Sequence, residues 1–477
     1  MLKKYLGDRA FWRTALALGL PIALQNLLTS SFILVDTLMV GQLGDIPLSA
    51  VGMAGQFGWF LNMIVFGISS GAAVFIAQYW GAGDTRGIRR SYGIALLSVI
   101  AVCSVFCAAA RLFPEFVIKI FNREPAVVAA GAEYLKVACW SYIATGISLV
   151  LSVVLRSTEQ VKIPMYVSLF TTVLNAFLDY GLIFGAFGLP EMGIKGAALA
   201  TVLSSWAGPV ITYVISAFRK NFLISSPKEM FGFDGAFALH FFRKAMPVIT
   251  NETFWGLGTL IFSVIFANLG YQNYAAVTIF RTFENFAFVF FIGLCSACSI
   301  MVGKDIGAGN IEEAVENAKR FNLAMVLASI VVGAAIVLAR HPLASIFNLS
   351  GTITQETLAT TGILMLIYGI ELPVRNMPYI QIVGTFRPGG DTAVGVRLDL
   401  ISLWFLSVPA TAAAAFIFRL PFPAVFAIMY VAEDYVKTFL CLRHFFTYRW
   451  LRPVTEQGLA GLERFWDKRQ EKYQAGA

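Results

Sequence analysis

Charge is what this sequence has least of. Asp, Glu, Lys and Arg make up 13% of its 477 residues, while 58% are hydrophobic; soluble domains carry about a quarter charged residues. That imbalance excludes a globular protein with a single anchor and leaves a polytopic membrane protein. Histidine is nearly missing. His240, His341 and His444 are scattered and supply no catalytic constellation, which speaks against an enzyme. The six cysteines all fall in apolar runs. Cys295-x-x-Cys298 has a metal-like spacing but no second pair or histidine cluster, so these read as small core residues. No G-x-x-x-x-G-K-[ST] loop occurs, which argues against direct drive by ATP. The short alternating segments of a β-barrel are missing too; the apolar runs are long and continuous, as spanning helices require. No small-residue cleavage pattern follows the first run, from Phe11 to about Val40, so it is expected to remain as a first helix. The net charge of +8 is better explained by lysine and arginine retained on the cytoplasmic side than by nucleic acid.

The expected fold is all-α, with twelve spans near residues 12–38, 53–80, 92–112, 130–153, 163–185, 195–217, 240–268, 276–303, 319–340, 360–383, 394–416 and 421–443. With the N-terminus inside, 26 of the 36 lysines and arginines fall on cytoplasmic segments; only Arg111, Lys119, Arg123, Lys195, Arg340 and Arg419 fall outside. Both termini are therefore expected in the cytoplasm. The polar tail, residues 449–477, reads as a short helix at the cytoplasmic surface or as a solvated segment.

An internal repeat organises the chain. At an offset of 226, Pro21 falls on Pro247, Leu43-Gly44 on Leu269-Gly270, Ala50 on Ala276, Gly67 on Gly293, and "GAGD" (81–84) on "GAGN" (307–310). An even number of spans per repeat keeps orientation, so two pseudo-symmetric six-helix halves are expected. They are an N-lobe over 1–220, a cytoplasmic connection over 221–239 and a C-lobe over 240–448, with residues 449–477 as tail.

Ionisable groups inside spans cost roughly 2.5–3.5 kcal/mol each and mark function by default. "SLFTTVLNAFLDYGLIFG" (168–185) carries Asn175 and Asp179 one helical turn apart, on one face. With Asp36 in the first span and a hydroxyl such as Thr201, they offer oxygen ligands suited to H⁺ or Na⁺. Capping a helix end is the alternative role for either aspartate. In the second half, Phe262 stands where the repeat would put a counterpart of Asp36. The pairs Arg281/Glu284, Glu371/Arg375 and Glu433/Lys437 are spaced for local neutralisation and read first as structural ion pairs. Glu252 and Asp399 lack such a neighbour, which makes them candidates for a C-lobe cation or substrate site; Glu284 joins them as a further candidate. Aligning Arg156 with Arg387, at an offset of 231, puts Ser168 on Asp399 and Asn175 on Leu406, so the halves place their carboxylates at different depths.

The stretches "LPIALQNLLTSSFILVDTLMVGQLG" (20–44), "RSTEQVKIPMYVSLFTTVLNAFLD" (156–179), "GIKGAALATVLSSW" (193–206) and "FRPGGDTAVGVRLDLISLWFLSVP" (386–409) together resemble the multidrug and toxin extrusion (MATE) family. That family sits in a larger group that also holds lipid and oligosaccharide flippases. The resemblance covers nearly the whole chain. It implies a V-shaped twelve-helix fold of two six-helix lobes and export of cationic amphiphilic compounds in exchange for inward H⁺ or Na⁺. It further implies a bacterial cytoplasmic (inner) membrane, the lipid bilayer and small organic cations as partners, a monomer, no nucleic acid, and no cofactor beyond the coupling ion. Asp36, Asn175, Asp179 and Thr201 match the family's N-lobe cation site, with no metal expected beyond a possible Na⁺ there. Pro21 matches the proline at which helix 1 of some members bends. Glu252 resembles a C-lobe glutamate of another branch, and Asp399 an aspartate in helix 11 of bacterial members. "FRPGGD" (386–391) departs from the pattern, which has a residue other than proline between arginine and the glycines. A flippase of a lipid-linked precursor, or an exporter of one metabolite, is the alternative on the same fold; the acidic groups and few unpaired arginines favour cationic cargo.

Overall fold

A computed structural model describes residues 7–121, 123–219, 221, 223–346 and 354–475. Lys3, Lys4 and Lys220, part of the cytoplasmic basic set, lie outside the described residues. Among those described, the chain is helical throughout. The first half holds α1 (Arg9–Gly41), α2 (Asp45–Ala82), α3 (Thr85–Leu112), α4 (Pro114–Lys119), α5 (Pro125–Ala138), α6 (Trp140–Ser157), α7 (Lys162–Phe184) and α8 (Gly193–Phe218). A short α9 (Pro227–Phe231) lies in the connection. Then follow α10 (Gly235–Ala267), α11 (Tyr271–Gly307), α12 (Ile311–Ile346), α13 (Gln355–Gln381), α14 (Thr392–Asp399), α15 (Val408–Ala412), α16 (Phe422–Phe446) and α17 (Glu456–Ala475).

Eleven helical segments among the described residues are long and apolar enough to cross a bilayer. The twelfth expected span is α16, a 25-residue helix. Its length suffices, but it carries Glu433, Asp434, Lys437 and Arg443. The chain is thus a multi-pass membrane protein with the expected twelve-helix architecture.

Three spans differ in detail from simple helices, the tenth by closing in a π-helical stretch, Ile382–Phe386. The fourth is divided at Cys139 into α5 and α6. There the Ser141 hydroxyl donates to the Ala138 carbonyl at 2.7 Å and the Trp206 indole donates to Trp140 O at 3.2 Å. Side-chain donors thus draw carbonyls out of the helical ladder. The eleventh, expected over 394–416, runs as α14, a π-helical stretch (Leu400–Ser407), α15 and a second π-helical stretch (Ala413–Ile417). Pro409 has no N–H to give, so the ladder there must change register.

The chain forms two compact units. One comprises Leu24–Ile76 and Asp84–Ile249; the other comprises Met1–Ala23, Ala77–Gly83 and Thr250–Ala477. Three of their four divisions fall inside α1, α2 and α10, and the fourth in the turn before α3. Repeat-related glycines make the close helix contacts. In the first unit, a Cβ on Gly67 would stand 2.6 Å from Ile249 Cα, and one on Gly71 2.8 Å from Ala245 Cα. In the second, a Cβ on Gly293, the counterpart of Gly67, would stand 2.6 Å from Gly19 O. Small residues let backbones approach, which in lipid supplies the packing that hydrophobic exclusion cannot.

The "GAGD" and "GAGN" turns serve as helix ends. Gly83 and Gly309 take positive φ, 71° and 77°, and Asp84 caps α3 by accepting from Gly87 N–H at 2.9 Å.

The tail is docked rather than solvated. Trp450 is fully buried and stacks on Phe445 at 5.9 Å. "FRPGGD" shapes the receiving loop: Arg452 N–H donates to Gly389 O at 2.7 Å, and Gln78 holds both Pro388 O and Val454 N at 2.7 Å. Thr455 then donates to Gly307 O at 2.8 Å.

Candidate functional site: buried carboxylates in two units

In the first unit, α7 carries Asn175 and Asp179 inward, 1% and 0% exposed. The α7 backbone is met closely by α8. Gly196 has no side chain because a Cβ there would lie 2.3 Å from Leu182 O, and Met192 N–H donates to the same carbonyl at 2.8 Å. Thr201 follows on α8, five residues after Gly196, and donates to Ala197 O at 3.0 Å. Asp36 of α1 is half-buried and acts electrostatically on Asp179.

A fifth group went unread in the sequence. Tyr134 of α5, 8% exposed, sits against Thr201 and within electrostatic range of both Asp36 and Asp179. A tyrosine in an apolar run looks like packing; only its capacity to offer one hydroxyl to two carboxylates distinguishes it, and that needs the fold. Around the group lies an apolar cluster that includes Val40, Ala54, Ile183, Ala197 and Ala198.

Among the described residues, five buried polar atoms here, Asp36 Oδ1, both Asn175 amide atoms and both Asp179 oxygens, have no hydrogen-bond partner in good geometry. Buried polar groups are nearly always paired, so an unpaired set calls for a proton, an ion or water. Four of the five atoms are oxygens, the donor type that suits H⁺ or a hard monovalent cation.

Pro21 lies in the other unit, within an α1 that runs as one helix from Arg9 to Gly41.

In the second unit Glu252, Glu284 and Asp399 each meet a basic side chain. Glu252 accepts from Arg387 Nη2 at 2.6 Å. The first unit repeats this clamp with a neutral partner: Arg156 gives Nε and Nη2 to Gln25 Oε1 at 3.1 and 2.6 Å. Glu252 thus meets Arg387 as Gln25 meets Arg156, although the 226-residue offset puts Gln25 on Asn251, and its first task is to neutralise a buried guanidinium. Glu252→Gln is expected to fold and to keep transport. Glu252→Leu is expected to lose about 3–5 kcal/mol by removing the carboxylate that faces a buried guanidinium. Thermal unfolding of the two purified variants checks this, and equal melting would contradict it.

Of the three expected local pairs, one forms. Lys437 Nζ meets Glu433 at 3.3 Å, but it also pairs with Asp399 across to α14. Arg281 instead donates to Ser263 at 3.0 Å. Arg375 turns to Glu284 at 3.3 Å and Asp434 at 3.7 Å, and lies 4.6 Å from the Tyr430 ring. Glu371 accepts from Tyr435 at 3.3 Å. Tertiary contacts win because a long side chain reaches a neighbouring helix as easily as its own next turn. Glu252, Asp399 and Glu284 thus belong to three separate ion pairs. All six cysteines are buried and free; Cys298 donates to Gly384 O at 3.1 Å.

Comparison with known proteins bears on the family, the repeat and the fold. The sequence model of the MatE family matches residues 21–181 and again 247–412, two copies whose starts reproduce the 226-residue offset. A curated relative from Thermotoga maritima, "Probable multidrug resistance protein NorM", is 28% identical over 453 residues, covering 91% of this chain and 92% of that protein. One of the same name from Rhizobium meliloti is 30% identical over 429 residues, covering 87% and 88%. Among solved structures, the Vibrio cholerae MATE transporter VcmN in the bent form superposes with a TM-score of 0.81. It is 19% identical and covers 92% of this chain and 98% of that one, a likeness of fold.

Proposed function

The chain belongs to the MATE family of multidrug efflux transporters, and on that premise we propose that it exports cationic amphiphilic compounds in exchange for inward H⁺ or Na⁺. The observation that carries the ion half of this reading is the set of unpartnered buried polar atoms on Asp36, Asn175 and Asp179. The proposed setting is a bacterial cytoplasmic membrane, with a monomer, both termini inside, six-helix lobes over 1–220 and 240–448, and no cofactor beyond the coupling ion.

From outside, the ion enters the Asp36/Asn175/Asp179 group, with Thr201 and Tyr134 lending oxygens. Neutralising the carboxylates removes their attraction for a cationic substrate. Helices α1, α7 and α8 then repack, with α1 yielding at Pro21, and the substrate leaves. The lobes turn inward, where the ion is released.

One charge entering down about 150 mV supplies roughly 3.5 kcal/mol. That sustains a gradient of about a few hundred-fold for a neutral substrate. A cation exchanged one for one gains nothing from the potential and depends on the ion gradient alone.

Transport into vesicles under an imposed pH or Na⁺ gradient, one at a time, tests the reading with a panel of organic cations. Uptake of cations driven by one gradient is expected. Uptake indifferent to both gradients would overturn it.

A further inference from the structure

We propose that Lys437 is a tethered counter-ion: it occupies Asp399 until an organic cation takes that carboxylate, and then rests on Glu433. The inference rests on the export reading above and names the residue that sets how tightly cargo is held in the second unit.

The geometry supplies both resting places. Lys437 pairs with Asp399 at the head of the eleventh span and, at 3.3 Å, with Glu433 one turn earlier on its own helix. A lysine suits this part, since its ammonium is a compact charge on a flexible stem, whereas an arginine fork fixes its partner. The side chains of Lys437, Asp399 and Glu433 are 12%, 12% and 11% exposed. Asp399 also leads directly into the π-helical stretch Leu400–Ser407, where the backbone ladder has a spare register.

The charge balance admits a further cation. Lys437 faces Asp399 and Glu433, with Asp434 also near. Arg375 is engaged by Glu284 and Asp434. Two cations thus serve four carboxylates, and Glu371 lies beyond with Tyr435 as its donor. Arg375 cannot stand in for Lys437, because its guanidinium is held between two carboxylates and over Tyr430. Cys441, one turn further on α16, is the remaining titratable neighbour.

The test uses full-length purified protein and ethidium. Lys437→Met is expected to bind ethidium at least about ten-fold tighter, the modest end of what close charge pairs are worth. In proteoliposomes its KM and kcat are expected to fall together, because the ammonium that helps expel cargo is gone. Lys437→Met combined with Asp399→Asn is expected to lose the tightening. Should Lys437→Met alone not fold, Lys437→Met with Glu433→Gln restores the charge balance and carries the same expectation. Unchanged or weaker binding by the folded variant, or tightening that survives loss of Asp399, overturns the inference alone. No ethidium binding by the unaltered protein overturns the export reading and this inference together.

Discussion

Asp179→Asn is expected to abolish concentrative export while leaving the folded protein intact. The substitution keeps the shape of a fully buried side chain and removes the charge that a coupling ion must neutralise. The energetic stake is the whole driving force. A cation exchanged one for one draws on the ion gradient alone, about 1.4 kcal/mol for each ten-fold, so losing the ion collapses the accumulation that gradient sustains to none. Substrate can still equilibrate, so efflux down a gradient should persist. The steady-state accumulation ratio of ethidium in vesicles under an imposed ion gradient checks this, with Asp36→Asn as the companion variant. Tyr134→Phe should act more weakly, since it removes one hydroxyl and no charge.

The second large effect is on folding. Gly81 and Gly307 are repeat-related, and each lies against the backbone of the other's helix. A Cβ on Gly81 would stand 1.9 Å from Lys304 O, and one on Gly307 1.9 Å from Gln78 O. Gln78 and Lys304 are themselves repeat-related, so the contact is reciprocal. Neither backbone can give way without moving its helix, and forced overpacking costs about 1–3 kcal/mol and occasionally more. Gly81→Val with Gly307→Val should therefore yield little folded protein, and either alone should melt earlier. Gly52→Ala is the comparison: a Cβ there meets nothing within 4 Å, and alanine favours a helix by about 1 kcal/mol. Melting curves in detergent decide, and equal stability of Gly81→Val and Gly52→Ala would contradict the packing argument.

How much of this was legible in the sequence depended on contrast. Asp36, Asn175 and Asp179 stood out because apolar spans have few polar residues, and one helical turn puts Asn175 and Asp179 on one face. The repeat was legible because glycine and proline mark places where backbones touch or turn; Gly67, Gly81, Gly293 and Gly307 do so here. What was not legible depends on contacts between helices. Tyr134 looked like packing. The arginine clamps could not be read because Arg156 finds Gln25 from 131 residues away, and Arg387 finds Glu252 from 135. Spacing pairs Lys437 with Glu433 and is blind to Asp399 on the facing span. The tail reads equally as surface helix or solvated segment, since the burial of Trp450 depends on a loop some sixty residues earlier in the chain. The π-helical register of the eleventh span follows from Pro409, yet periodicity alone reads straight through it.

The central claim is that the Asp36/Asn175/Asp179 group carries the coupling ion. It is tested most directly by ion flux that substrate itself drives, in proteoliposomes with no gradient imposed beforehand. Adding ethidium on one side should move H⁺ or Na⁺ the opposite way through the unaltered protein, and neither Asp36→Asn nor Asp179→Asn should support that movement. Substrate-driven ion flux persisting in both variants would contradict the assignment.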